Sequence, residues 1–180
     1  MEIFYITGNE GKFLEVKNLM PSIKRLSIDL AEIQSLNTSE IAQKKAEEGY
    51  KISHVKHLVV DDASLYLEAL NYKLPGPLVK WFLTSVGSRG LFNLSNSYKK
   101  YGAKAVCTLC YRNENGKFKI FKGTVTGKIV PPKVNSFKHW NGIFIPEGEN
   151  IPFADMSLDR KNRLSHRSIA VRKLKRYLMS

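Results

Sequence analysis

The sequence predicts an α/β fold in which helices flank a mixed β-sheet. Three observations predict it. A strand-like segment at the start breaks at glycine and passes into helical spacing; a second apolar strand follows a further helical stretch; and two alternating segments near the middle are joined by an Asn-Gly-rich turn.

Taken in order, Glu2 to Thr7 alternates and is rich in β-formers, Gly8-Asn9-Glu10-Gly11 breaks it, and Phe13, Val16, Leu19 and Met20 recur at helical spacing over Lys12–Met20. Ser22 to Asp29 is read as a second strand. Asn37 with Glu40 three residues on resembles a capping box and opens a helix through about Ile52. Leu58-Val59-Val60 reads as a short buried strand ending at Asp61-Asp62. Pro75-Gly76-Pro77 is a rigid turn, after which Leu78 to Val86 is expected as a helix with Trp81 and Phe82 toward the core, then a short helix over Gly90–Leu94. Val106–Arg112 and Phe118–Lys128 are expected as antiparallel strands joined at Asn113-Glu114-Asn115-Gly116. Ser165 is placed to cap a final helix running to Leu178. No repeat, low-complexity stretch or linker interrupts the chain, so one domain over residues 1–180 is expected.

Length and composition agree with a self-sufficient core. A chain of 180 residues with 43% hydrophobic and 25% charged residues buries enough surface without disulfide or metal staples. No apolar run approaches the ~20 residues that a bilayer span needs, and Met1-Glu2-Ile3-Phe4 reads as strand and not as a signal segment. The expectation is a cytoplasmic protein with no membrane partner. The two cysteines, Cys107 and Cys110, form a C-x-x-C, but residues three apart on a strand face opposite sides and no second ligand pair stands at metal spacing. They are read as core residues. The 29 Lys and Arg against 16 Asp and Glu give a net charge of +13, which attracts phosphates of any kind and leaves nucleotides and nucleic acid both open as partners. Much of the excess lies near the C-terminus, from Arg160-Lys161 to Lys175-Arg176, where a solvated helix face explains it equally well.

Three clusters carry chemistry. Thr7-Gly8-Asn9-Glu10-Gly11-Lys12 has the parts of a phosphate cradle: glycines that let a backbone approach, unpaired N–H groups at a helix start, and a cation in the first turn. It lacks the spacing of a Walker P-loop, and a plain strand-to-helix connector fits it as well. Asp61-Asp62, at the carboxyl end of a strand, suits Mg²⁺ bound through one or two carboxylates and phosphate oxygens; two solvated acids in a turn are the alternative. Ser165-His166-Arg167 at a helix start, with Lys161 four residues before it, offers donors to a phosphate or a keto oxygen, or is simply a charged surface. Trp140, between Phe137 and Phe144, is read as a base-stacking ring or a core residue.

Together these segments resemble the inosine triphosphate pyrophosphatase family, the Ham1-like enzymes of non-standard purine nucleotides. The pattern T-x-N-x-x-K-x-x-E stands here as Thr7 to Glu15. Asp61-Asp62-Ala63-Ser64-Leu65, Pro75-Gly76-Pro77 and Lys80-Trp81-Phe82 follow in the family's order, then Ala154-Asp155-Met156, Lys161-Asn162 and Ser165-His166-Arg167. The resemblance runs from Phe4 to about Leu174. It implies a single domain with an elongated, twisted mixed sheet and two lobes around a nucleotide cleft. It implies hydrolysis of ITP, dITP and XTP to the monophosphate and pyrophosphate before they enter nucleic acid. It makes Thr7, Gly8, Asn9, Lys12, Lys44, Ala63, Lys80, Trp140, Asn141, Lys161, His166 and Arg167 substrate contacts. It makes Glu32 and Asp62 ligands of a Mg²⁺ cofactor, and places Glu15 and Asp61 as nearby acids that orient or deprotonate the attacking water, so that Asp62, Asp61, Glu15 and Lys12 form the catalytic set. Family members commonly pair as homodimers, and nucleic acid is not expected as the main partner.

The chain departs from the family at the base-recognition segment. Where the family reads F-G-W/Y-D-P, this sequence has Phe137-Lys138-His139-Trp140-Asn141-Gly142, so His139 replaces a glycine and Asn141 an aspartate. An aspartate accepts from the N1–H of a 6-keto purine, whereas an asparagine amide turns either end to the base, so weaker discrimination against adenine, or a different preferred base, is expected. Ala63 also removes a hydroxyl. The competing readings are a basic nucleic-acid-binding protein on the same scaffold with lost or altered nucleotide specificity, and a related pyrophosphatase of other nucleotides.

Overall fold

The computed structural model describes residues Met1–Ser180. The elements, in chain order, are β1 (Phe4–Ile6), α1 (Glu10–Leu19), β2 (Lys24–Leu26), α2 (Thr38–Ser53), β3 (Leu58–Leu67), β4 (Pro75–Gly76), α3 (Val79–Ser97), β5 (Gly102–Arg112), β6 (Phe118–Ile129), β7 (Phe144–Pro146), α4 (Leu158–Leu164) and α5 (His166–Met179). The strands form one seven-stranded sheet in the order β2-β1-β3-β5-β6-β7, with β4 paired to β3. β1 runs parallel to both β2 and β3, while β4 and β7 run antiparallel to their partners, so the sheet is mixed as the sequence predicted.

The chain forms two compact units. The first comprises Met1–Asp62, Cys107–Gly123 and Leu164–Ser180. Strand alternation divides its core in two. Tyr5, Val59, Cys107, Leu109 and Phe121 face Val16 of α1 and Ala170, Val171 and Leu174 of α5, while Ile6, Leu58, Val60 and Cys110 face Ala42 and Ala46 of α2. The two cysteines are free and buried on opposite faces, as strand geometry required. Burial pushes the Cys110 thiol up to about 12, out of the range of reactive thiolates. Gly123 permits a close approach of α5: a Cβ there would lie 2.0 Å from the His166 carbonyl oxygen.

The second unit comprises Ala63–Val106 and Thr124–Arg163. Its core holds Val79, Leu83 and Leu91 of α3 with Ile129, Trp140, Ile143, Phe144 and Phe153. Trp81, expected inside, is 56% exposed, because Val79 and Leu83 take the inward positions of that helix turn. The two helices expected from Leu78 to Leu94 are one element with a break at Gly87, where φ is 68° and ψ 179°. The Pro75-Gly76 turn contributes a two-residue strand, and β7 and α4 carry too little periodicity to be read from sequence.

Candidate active site

The site is built in the first unit, beginning at the end of β1. Asn9 caps α1: its Oδ1 accepts from the Lys12 N–H at 3.0 Å, and its own N–H donates to Thr7 Oγ1 at 3.2 Å. The turn is held from behind by Arg25 on β2, which donates to the carbonyl oxygens of Thr7 (3.2 Å) and Gly8 (3.0 Å). With both carbonyls engaged from that side, the helix-start N–H groups and the half-exposed Lys12 make a positive rim suited to an anion. Nothing local in the sequence marks an arginine as the brace of a turn 17 residues away.

Asp61 and Asp62 were expected just past the end of a short strand. They lie within β3, which continues through them to Leu67, and both are buried at 2% and 5% exposure. Being consecutive on a strand, they face opposite sides of the sheet. Asp61 shares the side of Val59 and meets α1 and α5. Its Oδ1 accepts from Lys12 Nζ at 3.1 Å, and its Oδ2 accepts from Arg167 Nη2 at 3.1 Å and Nε at 3.3 Å. Arg167 Nη1 donates to Glu15 Oε2 at 2.5 Å. Burial by itself would raise the Asp61 pKa, but Lys12, Arg167 and Lys45 overcome it and hold the carboxyl far below its ordinary range. Arg167 is buried as well, which disfavours its charge, yet Glu15 and Asp61 hold its pKa well above the ordinary value. A carboxylate so strongly held as an anion is a poor proton acceptor. Of the two roles expected for Asp61, orienting or deprotonating the attacking water, its fixed, charged state alongside Lys12 and Arg167 fits the first better.

Asp62 shares the side of Val60 and meets α2. There the inward lysine is Lys45. Lys44, which the resemblance makes part of the cationic lining with Lys80 and Lys161, is exposed and pairs with Glu47 at 2.9 Å. Lys45, 8% exposed, donates to Glu32 Oε1 at 2.7 Å and to the Asp61 carbonyl oxygen at 2.9 Å. Burial pushes its ammonium down, and Glu32, Asp61 and Asp62 more than offset this, raising its pKa. Lys45 falls on the buried stripe of α2 with Ile41, Ala42, Ala46 and Gly49, a phase that the helical spacing of the sequence already sets.

Glu32 and Asp62 thus both act on one ammonium. They are hard oxygen donors of the kind that Mg²⁺ takes. No group of three or more His, Cys, Asp or Glu side chains is gathered to hold a metal by itself. The donor set fits a Mg²⁺ that completes its shell with phosphate oxygens and water, and does not fit a closed all-protein cage.

Of the other expected substrate residues, His166 opens α5 and is buried. Ala63, Lys80, Trp140, Asn141 and Lys161 belong to the second unit. Lys80 is exposed on the first turn of α3. Lys161 is buried with its Nζ 5.6 Å from the centre of the Phe153 ring. Trp140 is 6% exposed and packs edge-on against Phe144 at 5.6 Å, so its ring is a core ring; the open aromatic face of this segment is Phe137, 53% exposed. The Asn141 carbonyl oxygen accepts from the Ala154 N–H at 3.1 Å.

The Ham1 family profile matches residues 3–177. The chain is 38% identical to an inosine triphosphate pyrophosphatase of Schizosaccharomyces pombe over 99% of this chain and 95% of that protein. It is 39% identical to one of Podospora anserina over 98% and 93%. The solved Ham1 protein of Staphylococcus aureus superposes with a TM-score of 0.78 at 26% identity, covering 99% of this chain and 98% of the other.

Proposed function

Because the chain belongs to the Ham1 family, we propose that it hydrolyses non-standard purine nucleoside triphosphates, ITP, dITP and XTP, to the monophosphate and pyrophosphate. Water attacks the α-phosphorus and pyrophosphate leaves. The observation that carries the reading is the Asn9-capped start of α1, whose Lys12 is fixed by the buried Asp61 beside Arg167 and Glu15. A triphosphate brings about four negative charges, and charge-assisted hydrogen bonds to it are worth roughly 1.5–3 kcal/mol each.

In this reading Thr7, Asn9 and the N–H groups of the α1 start bind phosphate oxygens. Lys12 and Lys45 supply charge, and Lys80 and Lys161 are further cations for the same substrate. Glu32 and Asp62 would hold Mg²⁺, which when bound offsets phosphate charge and polarises the reacting phosphoryl group. Asp61 keeps Lys12 and Arg167 in place and charged, and Glu15, whose carboxylate pairs with Arg167, is the acid that takes the proton of the attacking water. The base meets Phe137 and Asn141, with Trp140 packed beneath the segment as its support. The enzyme acts as a cytoplasmic homodimer, by analogy with its family; no helix is long and apolar enough to cross a membrane.

The test is release of pyrophosphate from ITP, XTP, GTP and ATP with Mg²⁺. ITP and XTP are expected as substrates, and absence of turnover on all four sinks the reading. The nucleic-acid-binding alternative is not favoured, since the relatives described above carry the name of a nucleotide pyrophosphatase.

A further inference from the structure

The break in α3 is closed by the segment that the proposed function assigns to the base. At Gly87 the chain leaves helical geometry, so the N–H groups of the next residues begin a new helical run without partners in the turn before. Gly87 offers no side chain to cap them. The cap comes from residues 135 and 136. Asn135 Oδ1 accepts from the Arg89 N–H at 2.9 Å and from Ser88 Oγ at 3.4 Å. The Ser136 carbonyl oxygen accepts from the Ser88 N–H at 2.8 Å, and Ser88 Oγ accepts in return from the Ser136 N–H at 2.9 Å. The Arg89 guanidinium reaches the Pro132 carbonyl oxygen at 3.4 Å.

The approach is close enough that any side chain at residue 87 would displace the capping amide of Asn135. A Cβ at residue 87 would lie 2.4 Å from Asn135 Oδ1, and the positive φ disfavours any other residue. From the clamp the hydrogen bonds continue into the base segment: Ser136 Oγ accepts from the Lys138 N–H at 3.3 Å and the His139 N–H at 3.2 Å, and stands 3.3 Å from His139 Nδ1. Phe137, His139 and Asn141 are thus carried on a loop whose start is fixed to the second half of α3.

We propose that Asn135 is a positioning residue for base recognition: by capping the broken α3 it sets the conformation of residues 136–141, and through them the contribution of the base to substrate binding. It touches no reacting atom. The inference rests on the proposed function, and the experiment separates the two.

ITP is compared with ribose 5-triphosphate, which has the same anhydride bonds and the same sugar but no base, in the full chain and its Asn135→Ala, Asn135→Asp and Ser88→Ala variants. Asn135→Ala is expected to lower the ratio of kcat/KM for ITP over ribose 5-triphosphate on the order of 10-fold, with the loss in KM for ITP and ribose 5-triphosphate turnover unchanged. Asn135→Asp keeps the accepting oxygen and retains the ratio to within about 2-fold, as aspartate caps a helix as well as asparagine does. Ser88→Ala removes the reciprocal bond and shifts the ratio in the same direction. The proposal is overturned if Asn135→Ala leaves the ratio unchanged, if it lowers both substrates together, or if it fails to fold while Ser88→Ala leaves the ratio unchanged. Absence of ITP turnover in the unmodified protein instead overturns the proposed function.

Discussion

Replacing Asp61 by asparagine removes one charge and almost no volume. In the structure the carboxylate accepts from Lys12 on one oxygen and from Arg167 on the other, and Arg167, 4% exposed, has Glu15 as its second acid. An asparagine keeps a single accepting oxygen and turns an NH₂ toward either an ammonium or a guanidinium. At least one charge-assisted bond is lost, each worth about 1.5–3 kcal/mol. The larger effect is a buried guanidinium left with half of its compensation, for which breaking a buried pair costs about 3–5 kcal/mol. The two figures describe overlapping losses, so Asp61→Asn is expected to destabilise by about 3–5 kcal/mol, a fall in Tm of roughly 6–20 °C for a chain of this size.

The pH dependence has a definite sign. The folded pKa of Asp61 is depressed, so its contribution is complete above the unfolded value of about 3.9 and declines as pH falls toward the folded value. The stability gap between the native protein and Asp61→Asn is therefore expected to narrow by about 1 kcal/mol at pH 3 relative to pH 7. Thermal unfolding followed by far-UV circular dichroism across that range measures both quantities. A Tm difference under about 2 °C at pH 7, or a gap that does not change with pH, refutes the account of the cluster.

Lys45→Ala is expected to lower kcat/KM for ITP on the order of 100-fold, whereas Lys44→Ala stays within about 2-fold; steady-state pyrophosphate release checks both. Asn141→Asp should raise the preference for ITP over ATP in kcat/KM by roughly 10-fold, because a carboxylate accepts from the N1–H of a 6-keto purine and repels the acceptor N1 of adenine; an unchanged preference removes Asn141 from base selection. Gly123→Ala places a methyl group against the backbone of α5 and should destabilise by about 1–3 kcal/mol in urea unfolding.

Much of this molecule is legible without coordinates because its signals are local. The Asn9 turn, the Asn37 and Ser165 caps, the 113–116 hairpin and the opposite burial of Cys107 and Cys110 all follow from residues within a few positions of one another. The order of the motifs gave the family. The phase of each charged residue about its helix or strand, and its partner, came only from the tertiary fold. Lys44 and Lys45 differ by about 100° around α2, and that angle alone sends one to solvent and the other among Glu32, Asp61 and Asp62. Asp61 and Asp62 differ by one strand position, which places them on opposite faces of the sheet. Arg167 meets Asp61 across 106 residues and Glu15 across 152. A lone arginine on a basic helix reads as solvated surface. It becomes a buried, doubly paired cation only when α1, β3 and α5 are packed together, because burial is what makes its two carboxylates necessary.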